Sequence, residues 1–236
     1  MWSTVTSRRR RGRTVFRDAA LVAGKDLRIE LRSRVGLNQV LPLAVLMLVL
    51  FAFALDPDTG VLERATPGLF WVAVLLCGLL AVQRAFAIEV ADGVTDSLRL
   101  SALDPGAVFL GKAAAVGLQL LVLQALLLAG VIVLYDAAPS GWPLLAATCL
   151  VATVGIAGAG TLYGVLAAGV RVRETLLPLL LLPVLAPVLL AATRAFEAGF
   201  DGRSGEGWPW VGLLAAFALV YIVAGLFGFG ALLEES

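Results

Sequence analysis

Few stretches of this chain carry residue types that could do chemistry, and the most suggestive is Gly106-Ala-Val-Phe-Leu-Gly-Lys112-Ala113. It lacks only the final residue of the phosphate-binding pattern G-x-x-x-x-G-K-[ST], because Ala113 stands where a hydroxyl should hold magnesium. A working loop of this kind is delivered by a buried strand and followed by a soluble helix. Here the upstream flank, Leu98 to Pro105, reads as a short helix ending at Pro105, and an apolar run follows Lys112. The segment is therefore not expected to bind nucleotide, the chain is not expected to hydrolyse ATP, and Lys112 reads as an interfacial anchor. The remaining reactive groups are sparse. Cys77 and Cys149 lie inside apolar runs and read as packing residues. There is no histidine, which removes the commonest metal ligand and general base. No catalytic residue and no metal cluster is expected.

The elements around these residues explain the sparseness. Hydrophobic residues make up 60% of the chain, against about 45–50% in an ordinary soluble domain. A helix needs about 20 apolar residues to cross a bilayer. Six runs qualify: Leu37 to Leu55, Gly68 to Ala87, Ala113 to Tyr135, a stretch within Gly141 to Val170, Thr175 to Thr193, and a stretch within Trp208 to Leu233. They are continuously apolar rather than alternating, so membrane strands are excluded. The expected fold is an all-α integral membrane protein with six transmembrane helices spanning 36–233. Short outer loops are expected at Asp56–Pro67, Asp136–Ser140 and Arg194–Gly207. With the N-terminus in the cytoplasm, 15 of the 18 lysines and arginines fall inside and three, Arg64, Arg194 and Arg203, outside. That asymmetry predicts both termini cytoplasmic, in a multi-pass protein of the cell membrane.

Two segments precede the first run. Residues 1–13 form a basic, disordered tail that anionic lipid would attract, and no nucleic-acid partner is read from it. Residues 14–35 form an amphipathic helix. Phe16, Ala20, Ala23, Leu27 and Leu31 make its apolar stripe, with Arg17, Lys25, Arg28 and Arg32 beside them. Such a helix suits the cytoplasmic interface or a partner protein.

The segment 89–105 is the richest polar stretch between spans. Asp92 or Thr95 could cap a short helix through Leu103, whose apolar side would carry Val94, Leu98, Leu100 and Leu103. That side could rest on the membrane surface or in a groove of a cytoplasmic partner, or the segment could be a solvated connector. Arg171, Arg173 and Glu174 lie in the second cytoplasmic loop. Pro178, Pro183 and Pro187 predict a kinked or partly broken fifth span, either a mobile, cavity-lining helix or a static kink. Gln119, Gln124, Thr148, Thr153, Thr161 and Tyr163 are polar groups at depth, a type that more often joins helices than binds substrate.

Lys25 to Arg34, Pro67-Gly-Leu-Phe-Trp-Val-Ala73, Arg84-Ala-Phe-Ala-Ile-Glu89, Asp92-Gly93, Leu98 to Pro105, Gly111-Lys112 and the proline run Leu177 to Pro187 occur in an order that resembles the B-subunit family of the haem exporter in cytochrome c maturation. The resemblance implies the six-helix permease subunit of an ATP-binding-cassette (ABC) transporter. It implies a separate cytoplasmic ATPase subunit carrying ATP and magnesium, and other membrane subunits that handle haem. It also implies that Glu89, Asp92, Gly93, Asp96, Leu98, Leu100, Leu103, Asp104 and Pro105 form the segment coupled to that ATPase. Haem is the implied cargo rather than a bound cofactor, and release of a haem-loaded chaperone is the other form the work could take. The arginine-rich tail departs from the family pattern. A cassette transporter needs two membrane halves, so a homodimer is expected. A permease for a lipid, polysaccharide or drug, and a non-transporting scaffold, are the competing expectations.

Overall fold

The computed structural model describes residues 16–28, 35–55, 60–91, 104–168 and 173–235. Among these residues every regular element is a helix. We number them α1 (residues 16–28), α2 (Val35–Ala54), α3 (Val61–Ala91), α4 (Pro105–Leu134), α5 (Trp142–Ala168), α6 (Arg173–Phe200) and α7 (Ser204–Glu235). Five of them, α3 to α7, are long and apolar enough to cross a bilayer. α2 is a 20-residue apolar helix, and its part from Val40 to Ala54 is shorter than a span.

α5 sits at the centre and packs against α3, α4, α6 and α7, while α2 lies outside against α3 and α4. Small residues let this happen. Lipid tails are as apolar as the side chains, so close packing rather than water exclusion holds such helices together. Val82 and Phe86 of α3 fill the hollows at Gly160 and Gly164 of α5, and Leu144 of α5 fills the one at Gly207 of α7. α6 presents Leu177, Leu181, Leu185, Val188, Ala192 and Phe196 as one buried stripe at helical spacing. Phe196 stacks on Phe70 at 4.7 Å and meets Trp71 edge-on at 5.1 Å, tying α6 to α3.

The structure bears on several sequence expectations about these helices. α3 begins at Val61, so most of the loop expected at Asp56–Pro67 is helix; the start follows Gly60, whose φ of +65° stops any earlier turn. α6 runs on to Phe200 and α7 starts at Ser204, so the loop expected at Arg194–Gly207 shrinks to three residues. Gly202, with φ +73°, makes that turn, and the Gly141 N–H and the Ser140 hydroxyl both donate to the Gly199 carbonyl at 2.9 and 3.2 Å. α6 is unbroken through Pro178, Pro183 and Pro187, all of which lie off its buried stripe. Finally, Pro105 opens α4, and the rest of the short helix expected over Leu98 to Pro105, residues 98–103, lies outside the described residues.

On α1, Ala23 and Leu27 of the expected stripe are half-buried and Leu31 lies outside the described residues. Ala19 is buried, whereas Phe16 is 74% exposed and Ala20 is exposed too. The face that packs is the one carrying Ala19 and Val22, which meets α4 at Gly111.

Candidate functional site

The first turns of α4 are where the most elements converge. Asp104 is the N-cap, in extended conformation, and its Oδ1 accepts the Gly106 N–H at 2.8 Å. Pro105 fills the first helical position, where its missing N–H is harmless. Cap and proline together fix how α4 begins.

Beyond the cap each turn is seated on a different neighbour. Pro105 rests near Gly230, and Gly106 faces Leu226, both on α7. Phe109 is fully buried, lies across the backbone of Gly225 and meets Phe229 at 5.6 Å. Gly111 lies against α1 so closely that a Cβ there would stand 2.7 Å from both the Ala19 carbonyl oxygen and the Val22 Cβ. Phe86 connects the same region to α3 and, through Gly164, to α5.

Lys112 lies at the centre of this junction with 5% exposure. Its Nζ is 5.4 Å from the centroid of the Phe86 ring, within cation–π range. The charges of Asp26, favourable, and Lys25, unfavourable, act on it from α1. Lys25 and Asp26 pair with each other at 3.3 Å. A buried ammonium costs several kcal/mol in lost hydration unless such groups offset it. Lys112, read from the sequence as an interfacial anchor, is thus a packed member of the junction. The segment Gly106 to Ala113 is helical throughout. Its glycines are helical and hold neighbouring helices, so no concave loop of free N–H groups exists there to cradle a phosphate.

The other expected residues fall as follows. Glu89 is in the last turns of α3. Asp92, Gly93, Asp96, Leu98, Leu100, Leu103 and Arg171 lie outside the described residues. Arg173 and Glu174 open α6. Asp104 and Pro105 alone are placed with their contacts, at the base of α4.

At the opposite end of the bundle, Arg203 bonds Asp201 and Glu206 at 2.7 Å each, and Arg194 bonds Glu197 at 2.9 Å. The Asp201 hydrogen bond, with Glu206 beside it, pushes the Arg203 pKa up, so this cluster keeps its cation. In the interior, the Gln124 amide donates to Thr153 Oγ1 at 3.0 Å, joining α4 to α5. The Tyr135 hydroxyl donates to the Leu48 carbonyl at 3.0 Å, joining α4 to α2. Among the described residues no group of three Cys, Asp or Glu side chains is placed to hold a metal.

The sequence did not reveal Asp26, Phe86, Phe109, Gly111 and Gly225 as partners at one junction. A glycine directly before a lysine in the first turns of an apolar helix was the available signal, and it looked like half of a nucleotide motif.

Comparison with known proteins decides the lineage. The family described as CcmB protein matches residues 17–236. The chain belongs to the CcmB family. The match takes in all but the first residue of described α1 and leaves out the arginine-rich tail. Relatives bearing the name heme exporter protein B include one from Haemophilus influenzae, 30% identical over 85% of this chain and 88% of its own length. One from Bradyrhizobium diazoefficiens is 31% identical over 89% of this chain and 95% of its own. One from Escherichia coli K12 is 33% identical over 73% and 79%. As a CcmB family member with five helices of spanning length, the chain is a multi-pass membrane protein.

Proposed function

We propose that this chain is the membrane-spanning permease subunit of an ABC transporter in cytochrome c biogenesis, located in the cell membrane and driven by a separate cytoplasmic ATPase that binds ATP and magnesium. The CcmB family match from α1 to the last residue carries this reading. The names of the relatives supply the cargo class, haem. α2 is the first of six spans, both termini are cytoplasmic, and two copies form the membrane unit. The lysine and arginine asymmetry supports that orientation.

Segment 89–105 is the point of contact with the ATPase. Its support is the architecture immediately downstream: a capped, proline-initiated helix whose first turns touch α1, α3 and α7, so that a push at Asp104 is shared across the bundle. The chain works as a transmitter rather than as an enzyme. With no histidine in the sequence, an axial haem ligand would have to be cysteine, methionine or tyrosine, and this favours work on a haem-loaded partner over a haem site within the bundle.

Co-purification with the candidate ATPase, in nanodiscs, tests this directly. The two chains should elute together and turn over ATP, and a Glu89→Ala, Asp92→Ala double variant should weaken both. Normal assembly and coupling in that variant overturns the coupling segment. A deletion strain should lose covalent haem from its c-type cytochromes; unchanged cytochromes overturn the haem assignment. Cysteines at Ser140 and Glu206 should label from outside the cell and one at Arg17 should not, and the reverse pattern overturns the orientation.

A further inference from the structure

α1 is more than an interfacial anchor. Gly111 sits in the second turn of α4, six residues beyond Pro105, or about 9 Å along the axis. At that level α1 approaches until the Ala19 carbonyl and Val22 occupy the space a side chain would need. The obstacle is partly backbone, which cannot rotate away. Lys112, the next residue, is buried and senses the charge of Asp26 on α1. The steric seat at Gly111 thus ties α1 to these two turns, and the Lys25–Asp26 pair of α1 lies near enough for both of its charges to act on Lys112. The other face of α1 is exposed. Phe16, Ala20 and Leu21 are exposed, as are Arg17, Lys25 and Arg28, a mixture suited to the headgroup layer.

We propose that Gly111 and Lys112 are positioning residues that lock α1 to the base of α4, so that α1 moves as one body with the segment receiving the ATPase's push. The proposal rests on the permease reading for the origin of that push, though the lock itself does not. A helix is stiff over two turns, so displacing Asp104 displaces Gly111, and α1 follows. α1 then carries the motion into the membrane surface, away from the central helices.

The test uses the full chain in nanodiscs with Cys77 and Cys149 replaced by alanine. A cysteine at Val22, in the seat, should react with a water-soluble maleimide at least about tenfold more slowly than one at Ala20, which is exposed. Gly111→Leu, which drives a side chain into the seat, should bring Val22→Cys up to the Ala20→Cys rate. Asp26→Asn is the second variant, because it keeps the size of the side chain and removes only its charge. It should raise labelling several-fold, and adding it to Lys112→Met should change nothing further. Equal rates at the two positions in the parent chain, or no response to both Gly111→Leu and Asp26→Asn, overturns the lock. A fluorophore at Asp104→Cys and another at Ala20→Cys then report ATP binding in the complex with the ATPase. Both should respond, and Gly111→Leu should abolish the response at position 20 alone. A response at position 104 without one at position 20 in the parent overturns the shared motion. Silence at both positions overturns the permease reading, and the labelling rates still decide the lock.

Discussion

Truncating Phe109 to alanine tests whether the base of α4 is held by packing in the way described. The ring is fully buried, lies on the backbone of Gly225 and faces Phe229 at 5.6 Å, so nothing flexible stands ready to fill its place. In a water-soluble core Phe→Ala costs about 3–5 kcal/mol, part of it the transfer of the lost apolar atoms from water. Here that part falls away, because the separated helices remain in lipid. What is left is a void of about 100 Å³, or about 2.4 kcal/mol at about 24 cal/mol per Å³. Loss of the aromatic pair adds about 0.5–1.5 kcal/mol. The expected loss is therefore about 3 kcal/mol. Equilibrium unfolding in bicelles by steric trapping would measure it, with Phe229→Ala alone and combined. The two truncations should be strongly sub-additive, since the first removes the partner of the second. A loss below about 0.5 kcal/mol, or simple additivity of the two, would refute the packing account of this junction.

Three further outcomes follow from the same contacts. Thr153→Val should lower stability by about 1–2 kcal/mol in a detergent melt, by stranding the buried Gln124 amide, whereas Gln124→Leu should be near neutral because Gln124 Oε1 already has no partner. Asp104→Ala should cost about 1 kcal/mol and speed hydrogen exchange at the Gly106 amide, with amides beyond the first turns of α4 unchanged. Gly164→Leu should force the Phe86 ring out of its hollow at a cost of about 1–3 kcal/mol or more, read as a lower melting temperature and faster proteolysis of the α3 end.

The long helices were legible because each is a continuous apolar run, and no competing pattern disturbs that signal. Their ends were not. Hydropathy marks the membrane boundary, whereas a helix stops where its backbone is forced to turn. α3 starts directly after Gly60, ahead of the polar pair Glu63 and Arg64, and α6 continues past Arg194 and Glu197, an exposed i,i+3 pair that supports the helix, until the turn at Gly202. The family was legible from several short segments in order, and the comparisons bear it out. The junction was not, because its parts are spread over about 200 residues and each looks bland in isolation. Gly111 stood in a near-match to a phosphate loop, and nothing in the sequence around Phe86 or Gly225 joined them to it. On α1, helical periodicity identifies Phe16 and Ala20 as one face but cannot say that a glycine elsewhere will accept the neighbouring face at Ala19 and Val22.

The hollows in this protein also impose an order on its birth. Val82 and Phe86 are translated long before Gly160 and Gly164, and Phe109 long before Gly225. During insertion these bulky groups must wait, solvated by lipid, for receptors that the ribosome has not yet made. A nascent chain halted anywhere ahead of Gly225 would leave the Phe109 ring unhoused, and the base of α4 would stay unsettled until the last helix arrives. Completion of synthesis is in this sense written into the packing: only a chain translated through its seventh helix can hold the base of α4 still.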